Sequence, residues 1–506
     1  MMVTHETDAL KEKNADLLAL LEEMRTRVQE AAQQGTPVHE LERAVWQQVL
    51  RLGFLLLERF FTLQGSGDLG ERLVLPDGRE CERLDATHPR RYVSIFGEFT
   101  LNRTVYGSRE GQKIDFVPLD NRLQLPDSAF SYLLQDWDQS FSVEEAFGQV
   151  AQTIMRMFGL KQSVDSLERM NAQMAQQVDD FRAERPRPSA AEEGEIVVSS
   201  GDGKGVVMRR VEGEAAPPAH RTKGDKASRK EMAIVGAVYT VDRYVRTAEQ
   251  VVAALFGDDQ GEAKPPPRPK PCHKQAMASL AYTDAEGTHS GIEKTYQWMA
   301  EEIWARNRGF AKEMVHLGDG QDALWDARQH HLPRRNMTDI LDLLHVTPRL
   351  WQAAHLFYPE KSAEVEQFVR ERVLRVLQGR VEYVIRGLRE MGTKRALKGS
   401  KKAALKKLCA YLENNRERMR YDEYLAKGYP IASGVIEGAC RHLVKDRMER
   451  AGMHWTRVGA QAMLDVRSIH ISGAWDQYQT FRIDCERERL YPWRELVEGD
   501  NYRLAA

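Results

Sequence analysis

Two copies of the tripeptide Gly-Asp-Gly occur in the chain, centred on Asp202 and Asp319. Apolar, strand-forming residues precede both copies. For Asp202 alone, a hairpin turn is a sufficient explanation, because glycine and aspartate both favour turns. The second copy favours a shared chemical role. If the two strands are adjacent and parallel, both carboxylates lie at the same edge of a sheet, where ligands collect.

Clustered carboxylates repel one another unless a cation lies between them. Oxygen ligands without a neighbouring cysteine select Mg²⁺ or Mn²⁺. A third acid is needed to hold a second ion, and Glu437 at the start of a predicted helix is the candidate. The pattern therefore predicts two ions among Asp202, Asp319 and Glu437. Such a pair stabilises the entering and leaving oxygens of a phosphoryl displacement.

Two of these assignments have alternatives. Asp342 also falls at the end of a predicted strand, three residues before His345, and competes with Asp319 for the role of second acid. Its other interpretation is a structural or supporting role, and the glycines around Asp319 favour Asp319. Glu437 on its own is an ordinary first-turn acid that the helix dipole favours, so its weight comes from its partners.

Cations follow the third acid along its predicted helix. Arg441 and Lys445 lie four and eight residues after Glu437, and they either line a groove for DNA or form a solvated stripe. The segment 394–408 is strongly basic and includes Lys401 and Lys402. We expect these lysines to contact DNA phosphates, although lysine-rich helices are often only solvated.

The elements that must position these residues alternate between strands and helices. Strands are predicted at 195–200 and 205–211, on either side of the first Gly-Asp-Gly, and at 231–241. Helix is predicted at about 288–308, and a further strand ends at Asp319. A short strand at 338–346 carries Asp342, and the region 350–425 is almost wholly helical by its apolar period.

The N-terminal part is predicted to be a separate set of modules. Apolar residues in the helix at 9–33 follow an a/d seam, typical either of a short coiled coil or of an amphipathic helix packed on its own chain. A second helix follows at about 38–63, and a hairpin turns near Gly97. Between 142 and 178, Ser142 and Ser163 are predicted caps of two helices that resemble a helix-turn-helix or form a plain helical hairpin.

These shifts divide the chain into seven predicted parts. They are a helical region 1–65, a small β-rich module 66–127, a helix-turn-helix-like module 128–185, the first part of a catalytic core 190–349, a helical insertion 350–425, the second part of the core 426–480, and a tail 481–506.

Composition limits the class of protein. A chain of 506 residues with a net charge of −2 contains several cores, and its charge neither favours nor excludes nucleic acid. The five cysteines form no CxxC pair, which suits a reducing compartment. We find no signal peptide and no apolar run long enough to cross a bilayer, so we expect a cytoplasmic protein without a membrane partner.

Several segments occur together in a recognisable order. They are SGDGKGVVMR (200–209), HLGDGQDALWDA (316–327), ILDLLHVTPRLW (340–351), ASGVIEGACRHL (432–443), RAGMHWTRVGAQAMLDVR (450–467) and SGAWDQY (472–478), with TLNRTVYG (100–107) and PLDNRLQLP (118–126) upstream. This set resembles the DDE transposases with an RNase H-like core, and more narrowly the ISKra-type family of bacterial insertion sequences.

The resemblance implies an α/β fold: an RNase H-like mixed sheet with a helical insertion, plus N-terminal helical and β-hairpin modules. It implies that Asp202, Asp319 and Glu437 are the three catalytic acids, the second of them after the fourth strand. It also implies metal-dependent cleavage at transposon ends, followed by attack of the 3′-hydroxyl on target DNA. The partners would be double-stranded transposon-end and target DNA, and we expect a homo-oligomer associated with the nucleoid.

One feature departs from the family. Its members often carry cysteine pairs near the N-terminal hairpin, as in a zinc ribbon, whereas the segment 106–116 here has none. We therefore expect that module to be free of metal. Two other functions remain open from the sequence. The chain could be a non-catalytic DNA-binding regulator derived from a transposase, or a purely hydrolytic RNase H-like nuclease.

Overall fold

A computed structural model of the chain describes residues 8–108, 114–209, 230–258, 267–284, 287–450 and 452–499. The chain forms two compact units. The first comprises Met1–Gln173 together with Asp476–Ala506, and the second comprises Met174–Trp475. In the described residues, no helix is both long enough and apolar enough to span a membrane.

The first unit begins with two long helices and continues through small antiparallel strands to shorter helices. Its elements in chain order are α1 (Asp8–Gln34), α2 (Val38–Gln64), β1 (Arg72–Val74), β2 (Glu80–Arg83), β3 (His88–Ser94), β4 (Gly97–Arg103), β5 (Tyr106–Gly107), β6 (Ile114–Phe116), α3 (Pro118–Leu123), α4 (Tyr132–Ser142), α5 (Phe147–Phe158) and α6 (Val164–Ala175). Helix α6 reaches just past the boundary between the units.

Helix α1 packs along α2 of the same chain. Of its predicted a/d seam, Leu17 and Met24 are half-buried and Ala31 is buried, whereas Leu21 and Val28 are exposed. The amphipathic interpretation therefore accounts for the buried side of α1. Self-association through the exposed side stays a prediction.

The predicted hairpin near Gly97 is confirmed, because β3 and β4 pair from His88↔Arg103 to Ser94↔Gly97. In the helical module, Ser163 caps α6 by accepting a hydrogen bond from the backbone N–H of Ser166 at 3.1 Å. The predicted cap at Ser142 is wrong. Ser142 ends α4, and its hydroxyl donates to the carbonyl oxygen of Asp138.

The second unit is an α/β structure around one mixed sheet. Its strands and helices are α7 (Val178–Glu184), β7 (Ile196–Val207), β8 (Lys230–Val241), α8 (Ala248–Phe256), β9 (Cys272–Ser279), β10 (Tyr282–Asp284), β11 (Gly287–His289), α9 (Gly291–Arg306), β12 (Glu313–Gly318), α10 (Asp322–His331), β13 (Met337–Leu341), α11 (Leu343–Phe357), α12 (Ala363–Leu377), α13 (Val381–Lys394), α14 (Gly399–Asn414), α15 (Tyr421–Ala426), α16 (Gly434–Ala439), a π-helical segment (Cys440–Lys445), α17 (Asp446–Met448) and α18 (Arg457–Ile471); α19 (Trp475–Leu490) leads back into the first unit.

The five-stranded sheet has the order β13-β12-β7-β8-β9. Strands β7, β8 and β9 are antiparallel in succession, whereas β12 runs parallel to both β7 and β13. Helices α9 and α10 cover one face of the sheet, and α8, α11 and the helices α12–α15 cover the other. Each face packs an apolar core, which fixes the strand ends relative to the helices around them.

Two sequence-based boundaries are wrong in this unit. The first Gly-Asp-Gly does not separate two strands, because β7 runs through it without a break and Asp202 pairs with Val235 of β8. The predicted strand at 338–346 ends at Leu341. Asp342 is instead the N-cap of α11, so that the helical region begins earlier than the predicted 350.

Candidate active site beside two parallel strands

Asp202 lies within β7, and Asp319 directly follows the neighbouring strand β12. Strands β7 and β12 are parallel, and Leu317 pairs with Ser200, which brings Asp319 level with Asp202 two residues further along each strand. Strand β12 ends at Gly318, while β7 continues past Asp202. Both side chains are half-buried. The sequence predicted that both carboxylates lie at one edge of the sheet. Asp319 lies where β12 ends, whereas Asp202 lies within β7, which continues past it.

The glycine before each aspartate is required by an aromatic side chain packed against the sheet. A Cβ atom on Gly201 would lie 2.7 Å from the hydroxyl oxygen of Tyr296, a residue of α9. A Cβ atom on Gly318 would lie 2.7 Å from Cζ2 of Trp325, a residue of α10. Real Cβ atoms do not approach other atoms so closely. Only glycine therefore fits in front of either aspartate, and the repeated motif has a common structural cause.

Hydrogen bonds within the chain hold both carboxylates. Oδ1 of Asp202 accepts from the backbone N–H of Gly203 at 2.6 Å, and its Oδ2 lies 3.5 Å from the thiol of Cys440. Asp319 accepts from the backbone and the side-chain amide of Gln321, at 2.9 and 2.6 Å. As they stand, both acids are satisfied by protein donors.

The third predicted acid lies on a helix that packs beside β7 and β8. Glu437 is exposed on α16, whose first turn is capped by the Ser433 hydroxyl. Cys440 follows α16 as the first residue of the π-helical segment, and its contact with Asp202 places the helix of Glu437 beside β7. Burial raises the pKa of the Cys440 thiol, and the charge of Asp202 raises it further, so that the sulfur stays protonated and donates.

The competing acid has a structural position. Asp342 is buried, and its carboxylate accepts from the backbone N–H groups of Leu344 at 2.8 Å and of Ser433 at 3.1 Å. It thereby caps α11 and ties the end of β13 to the start of α16. Burial raises the pKa of this carboxyl, and the two backbone donors oppose the rise. The geometry favours its structural interpretation, because Asp342 is buried and its two oxygens hold the backbone of two helix starts.

The helical insertion also reaches the site. Tyr411 of α14 donates from its hydroxyl to the backbone carbonyl oxygen of Asp319 at 2.9 Å. Gly320, with φ +91°, turns the chain directly against the Tyr411 ring. Burial raises the pKa of Tyr411 to about 12, so that its hydroxyl remains a donor at neutral pH. This contact fixes the turn that carries the second aspartate.

The predicted cations are all exposed. Arg441 and Lys445 lie in the π-helical segment, and Arg441 is 3.6 Å from Asp446. Lys401 and Lys402 lie in the first turn of α14. Exposed cations at these positions are free to meet an anionic surface, but the solvated interpretation fits them equally.

The donor atoms suit a hard cation, but they do not converge. The three acids offer carboxylate oxygens alone, the chemistry that Mg²⁺ and Mn²⁺ prefer. Within the described parts of the chain, however, no three Asp, Glu, His or Cys side chains stand close enough to hold a metal ion. Asp319 faces Gln321, and Glu437 faces solvent. Side-chain rotation at both residues would be needed before an ion could be shared.

Sequence analysis missed Cys440, Tyr296, Tyr411 and Trp325 as parts of this site. Cys440 lies three residues after Glu437, which is a helical neighbour spacing, but nothing in the sequence connects it to Asp202. The glycines at 201 and 318 were the available signal for the two rings. A glycine inside a strand often marks a close approach of another group.

Comparison with known protein families and with curated proteins gave no match. Among solved structures, the chain is similar to the "Drosophila P element transposase strand transfer complex", with a TM-score of 0.25 and 10% sequence identity over 76% of this chain and 91% of that chain. A similarity of this size carries no argument about fold or function. The functional proposal below therefore depends on the residues of the site.

Proposed function

We propose that the protein is a DDE-type transposase of a bacterial insertion sequence, which binds transposon ends and catalyses metal-dependent DNA strand cleavage and strand transfer. One observation carries this proposal. Asp202 lies within β7, Asp319 directly follows the adjacent parallel strand β12, and the helix of Glu437 reaches Asp202 through Cys440. The three acids thus come from the three separate segments that the sequence resemblance named.

The strand arrangement supports an RNase H-like core. Three antiparallel strands, β7, β8 and β9, are followed by two strands parallel to the first, β12 and β13. In this order Asp202 lies on the first strand of the sheet and Asp319 directly follows the fourth. Glu437 comes after the helical region α12–α15. These are the positions that the resemblance implies for the three catalytic acids.

The roles of the residues follow from their surroundings. Asp202 is anchored by Gly203 and Cys440, so it is the fixed carboxylate of the set. Asp319 sits on a turn fixed by Tyr411, and its side chain would exchange Gln321 for the ion. Glu437 is exposed and free to turn inward. A Mg²⁺ or Mn²⁺ pair, when bound, would polarise the phosphate and stabilise the charged oxygens of the displacement.

Cations beside the acids would position the substrate. Arg441 and Lys445 project from the segment that follows Glu437, where they can neutralise phosphates next to the scissile bond. Lys401 and Lys402 on α14 can extend the same contact along the duplex, because α14 is also the helix that touches Asp319 through Tyr411. Phosphate contacts of this kind fix register without reading sequence.

The test is cleavage of labelled duplexes taken from the DNA that flanks the coding region, with Mg²⁺ or Mn²⁺. We expect strand cleavage by the unmodified protein and none by Asp202→Asn or Asp319→Asn. Asp322→Asn is the matched control, since Asp322 is an exposed acid three residues from Asp319. Equal activity of Asp319→Asn and Asp322→Asn would contradict the proposal.

The same assay separates the alternatives. Protein that shifts the flanking duplexes on a gel but never cleaves them with either metal would be a DNA-binding regulator. The hydrogen bonds that occupy both aspartates are the observation that favours this alternative. Protein that cleaves but never joins the 3′ end to a target duplex would be a hydrolytic nuclease.

A further inference from the structure

An exposed tyrosine on the helical insertion is flanked by two arginines. Tyr383 lies in the first turn of α13 and is 48% exposed. The guanidinium carbon of Arg375, on α12, lies 4.8 Å from the centroid of the Tyr383 ring. The guanidinium carbon of Arg386, on α13, lies 5.5 Å from the same centroid. One ring thus holds two cations that come from two helices.

The turn between the two helices brings these residues together. Helix α12 ends at Leu377, and α13 begins at Val381 and packs against α12. Gly379 lies in the turn with φ +74°, a backbone conformation that glycine adopts readily. On α13, Tyr383 and Arg386 are three residues apart, a spacing that makes them neighbours on the helix surface. The backbone therefore brings the ring and both arginines to one place on the insertion.

No acid of the described chain neutralises the two arginines. Neither guanidinium group forms an ion pair within the described residues. The acid next to Tyr383 is Glu382, and its carboxylate lies 3.6 Å from Arg416 instead. The acid nearest in sequence on α12, Glu371, lies 4.0 Å from Arg372. The charges of the two stacked arginines are therefore not compensated by a carboxylate within this part of the structure.

Two further arginines of the same helices show the more usual arrangement. Arg370 of α12 pairs with Asp258, and Arg389 of α13 pairs with Glu413. Of these four arginines, the two that stack on the tyrosine are the ones that lack a carboxylate among the described residues. The uncompensated charge is thus concentrated at the ring.

Two guanidinium groups on one ring form a preformed site for anions. They are no farther apart than the sum of their two distances from the centroid, about 10 Å, which is the Debye length at 0.1 M salt. The π face of the tyrosine attracts both groups. A stacked guanidinium keeps its in-plane N–H groups available for a bidentate contact with a phosphate. Each DNA strand carries a phosphate about every 3.4 Å along the helix axis, so a duplex offers both cations a partner at once.

We propose that Arg375, Tyr383 and Arg386 form a contact surface for the backbone of double-stranded DNA. The two guanidinium groups bind phosphates, and the ring between them holds them in place. This inference rests on the proposed function, which makes DNA the substrate. It adds a binding surface on α12 and α13 to the lysines of α14, and it requires no metal ion.

The test is binding of the flanking duplex to the full-length protein without divalent metal, measured by fluorescence anisotropy over a series of salt concentrations. Arg375→Gln combined with Arg386→Gln should lower the slope of log K against log salt by about two, since each phosphate contact contributes about 0.9. Affinity at 0.1 M salt should fall by about tenfold or more. An unrelated duplex of the same length should show the same change, because phosphate contacts do not read sequence.

The paired arginines provide a matched control. Arg370→Gln combined with Arg389→Gln removes the same number of charges from the same two helices, but these charges already have carboxylate partners. This double variant should keep the salt slope of the unmodified protein. A common decrease in both double variants would assign the effect to net charge and contradict a specific contact surface.

The ring has a test of its own, because it carries no charge. Tyr383→Leu removes the stacking surface, so both arginines must be ordered when DNA binds, and affinity should fall by about threefold. Tyr383→Phe keeps the ring and should keep the affinity. Tyr383 is exposed, so both variants should unfold at the temperature of the unmodified protein.

The failures can be told apart. If the unmodified protein binds no duplex at any salt concentration, the proposed function fails, and this inference fails with it. If the protein binds DNA and the variant at Arg375 and Arg386 keeps the full salt slope, the proposed function stands and the contact surface is wrong. If Tyr383→Leu binds as tightly as Tyr383→Phe, the role of the ring is wrong.

Discussion

The thiol of Cys440 lies 3.5 Å from the Oδ2 atom of Asp202 and donates to it. This contact joins the first strand of the mixed sheet to the helical segment that carries Glu437. The segment from Cys440 to Lys445 is π-helical. This geometry is rare in proteins, and where it occurs it is often at a functional site. Cys440 meets Asp202, whereas Glu437, three residues earlier, stays exposed.

Cys440 should be unreactive toward iodoacetamide in the folded protein. Burial and the charge of Asp202 both raise the pKa of its thiol, and each unit of that rise lowers the thiolate fraction about tenfold. Cys272 is partly exposed and should be labelled at least about tenfold faster at pH 8, as measured by peptide mass spectrometry. Asp202→Asn removes the charge, so labelling of Cys440 should accelerate; an unchanged rate would contradict the contact.

Asp342→Asn should mainly lower the stability of the fold, whereas Asp319→Asn should mainly abolish DNA cleavage. The amide of asparagine replaces one of the two Asp342 oxygens that accept from Leu344 and Ser433, so one backbone donor loses its partner. We expect the free energy of unfolding to fall by about 1–3 kcal/mol, with measurable cleavage retained. Asp319→Asn should abolish cleavage and lower the unfolding free energy by less than about 1 kcal/mol. Chemical denaturation and the cleavage assay would be run together, and the reverse ranking would move the site to Asp342.

Much of the sheet could be predicted from the sequence, but the contacts that hold its strand ends could not. Apolar runs before Asp202 and Asp319 identified β7 and β12, because buried strands are continuous and apolar. The glycines around Asp202 suggested a turn, whereas Gly201 is required by Tyr296, which is 95 residues away in sequence and cannot be inferred locally. Asp342 interrupts an apolar run that continues from strand into helix, and only the hydrogen bond that it accepts from the backbone N–H of Leu344 reveals it as a cap. The contact of Cys440 with Asp202 leaves no local pattern at all.

Gly201→Ala should destabilise the second unit through one identified atom. The new methyl group would lie 2.7 Å from the Tyr296 hydroxyl, and overpacking of this kind costs about 1–3 kcal/mol. Combining it with Tyr296→Phe removes that atom, so the double variant should be more stable than the sum of the single changes predicts. Gly387→Ala is the control, because nothing lies within 4 Å of its Cβ position in α13. This change should raise the free energy of unfolding by about 0.5–1 kcal/mol. If the stability changes of Gly201→Ala and Tyr296→Phe simply add in the double variant, the contact between these two positions is contradicted.

The first unit should lose stability as the pH rises from about 4 to about 7. Burial raises the pKa of Asp138 to about 7, although Gln162 donates to both carboxylate oxygens. The folded state therefore retains a proton that the unfolded state releases near pH 4. The stabilisation is complete below that pH and falls by about 1.4 kcal/mol per pH unit until pH 7.

Asp138→Asn tests this pH dependence directly. Its amide can donate to Oε1 of Gln162, which has no partner in the described structure, and still accept from Nε2. The variant should flatten the dependence between pH 4 and 7 and raise the unfolding temperature of the first unit at pH 8. Calorimetric scans of the full chain would check it. An equally steep dependence in the variant would assign the titration to another group.

DNA binding and DNA cleavage should separate between two variants. Glu437 is exposed, so Glu437→Gln keeps the fold and removes one charge from the proposed metal site. Cleavage of the flanking duplex should fall to background, while its gel shift persists. Lys401→Gln combined with Lys402→Gln should instead weaken the shift and lower the slope of log K against log salt by about two, since each phosphate contact contributes about 0.9. If the lysine variant has the same salt slope as the unmodified protein, Lys401 and Lys402 do not contact phosphates and α14 is only solvated. If Glu437→Gln loses the gel shift, Glu437 acts in DNA binding and not in catalysis.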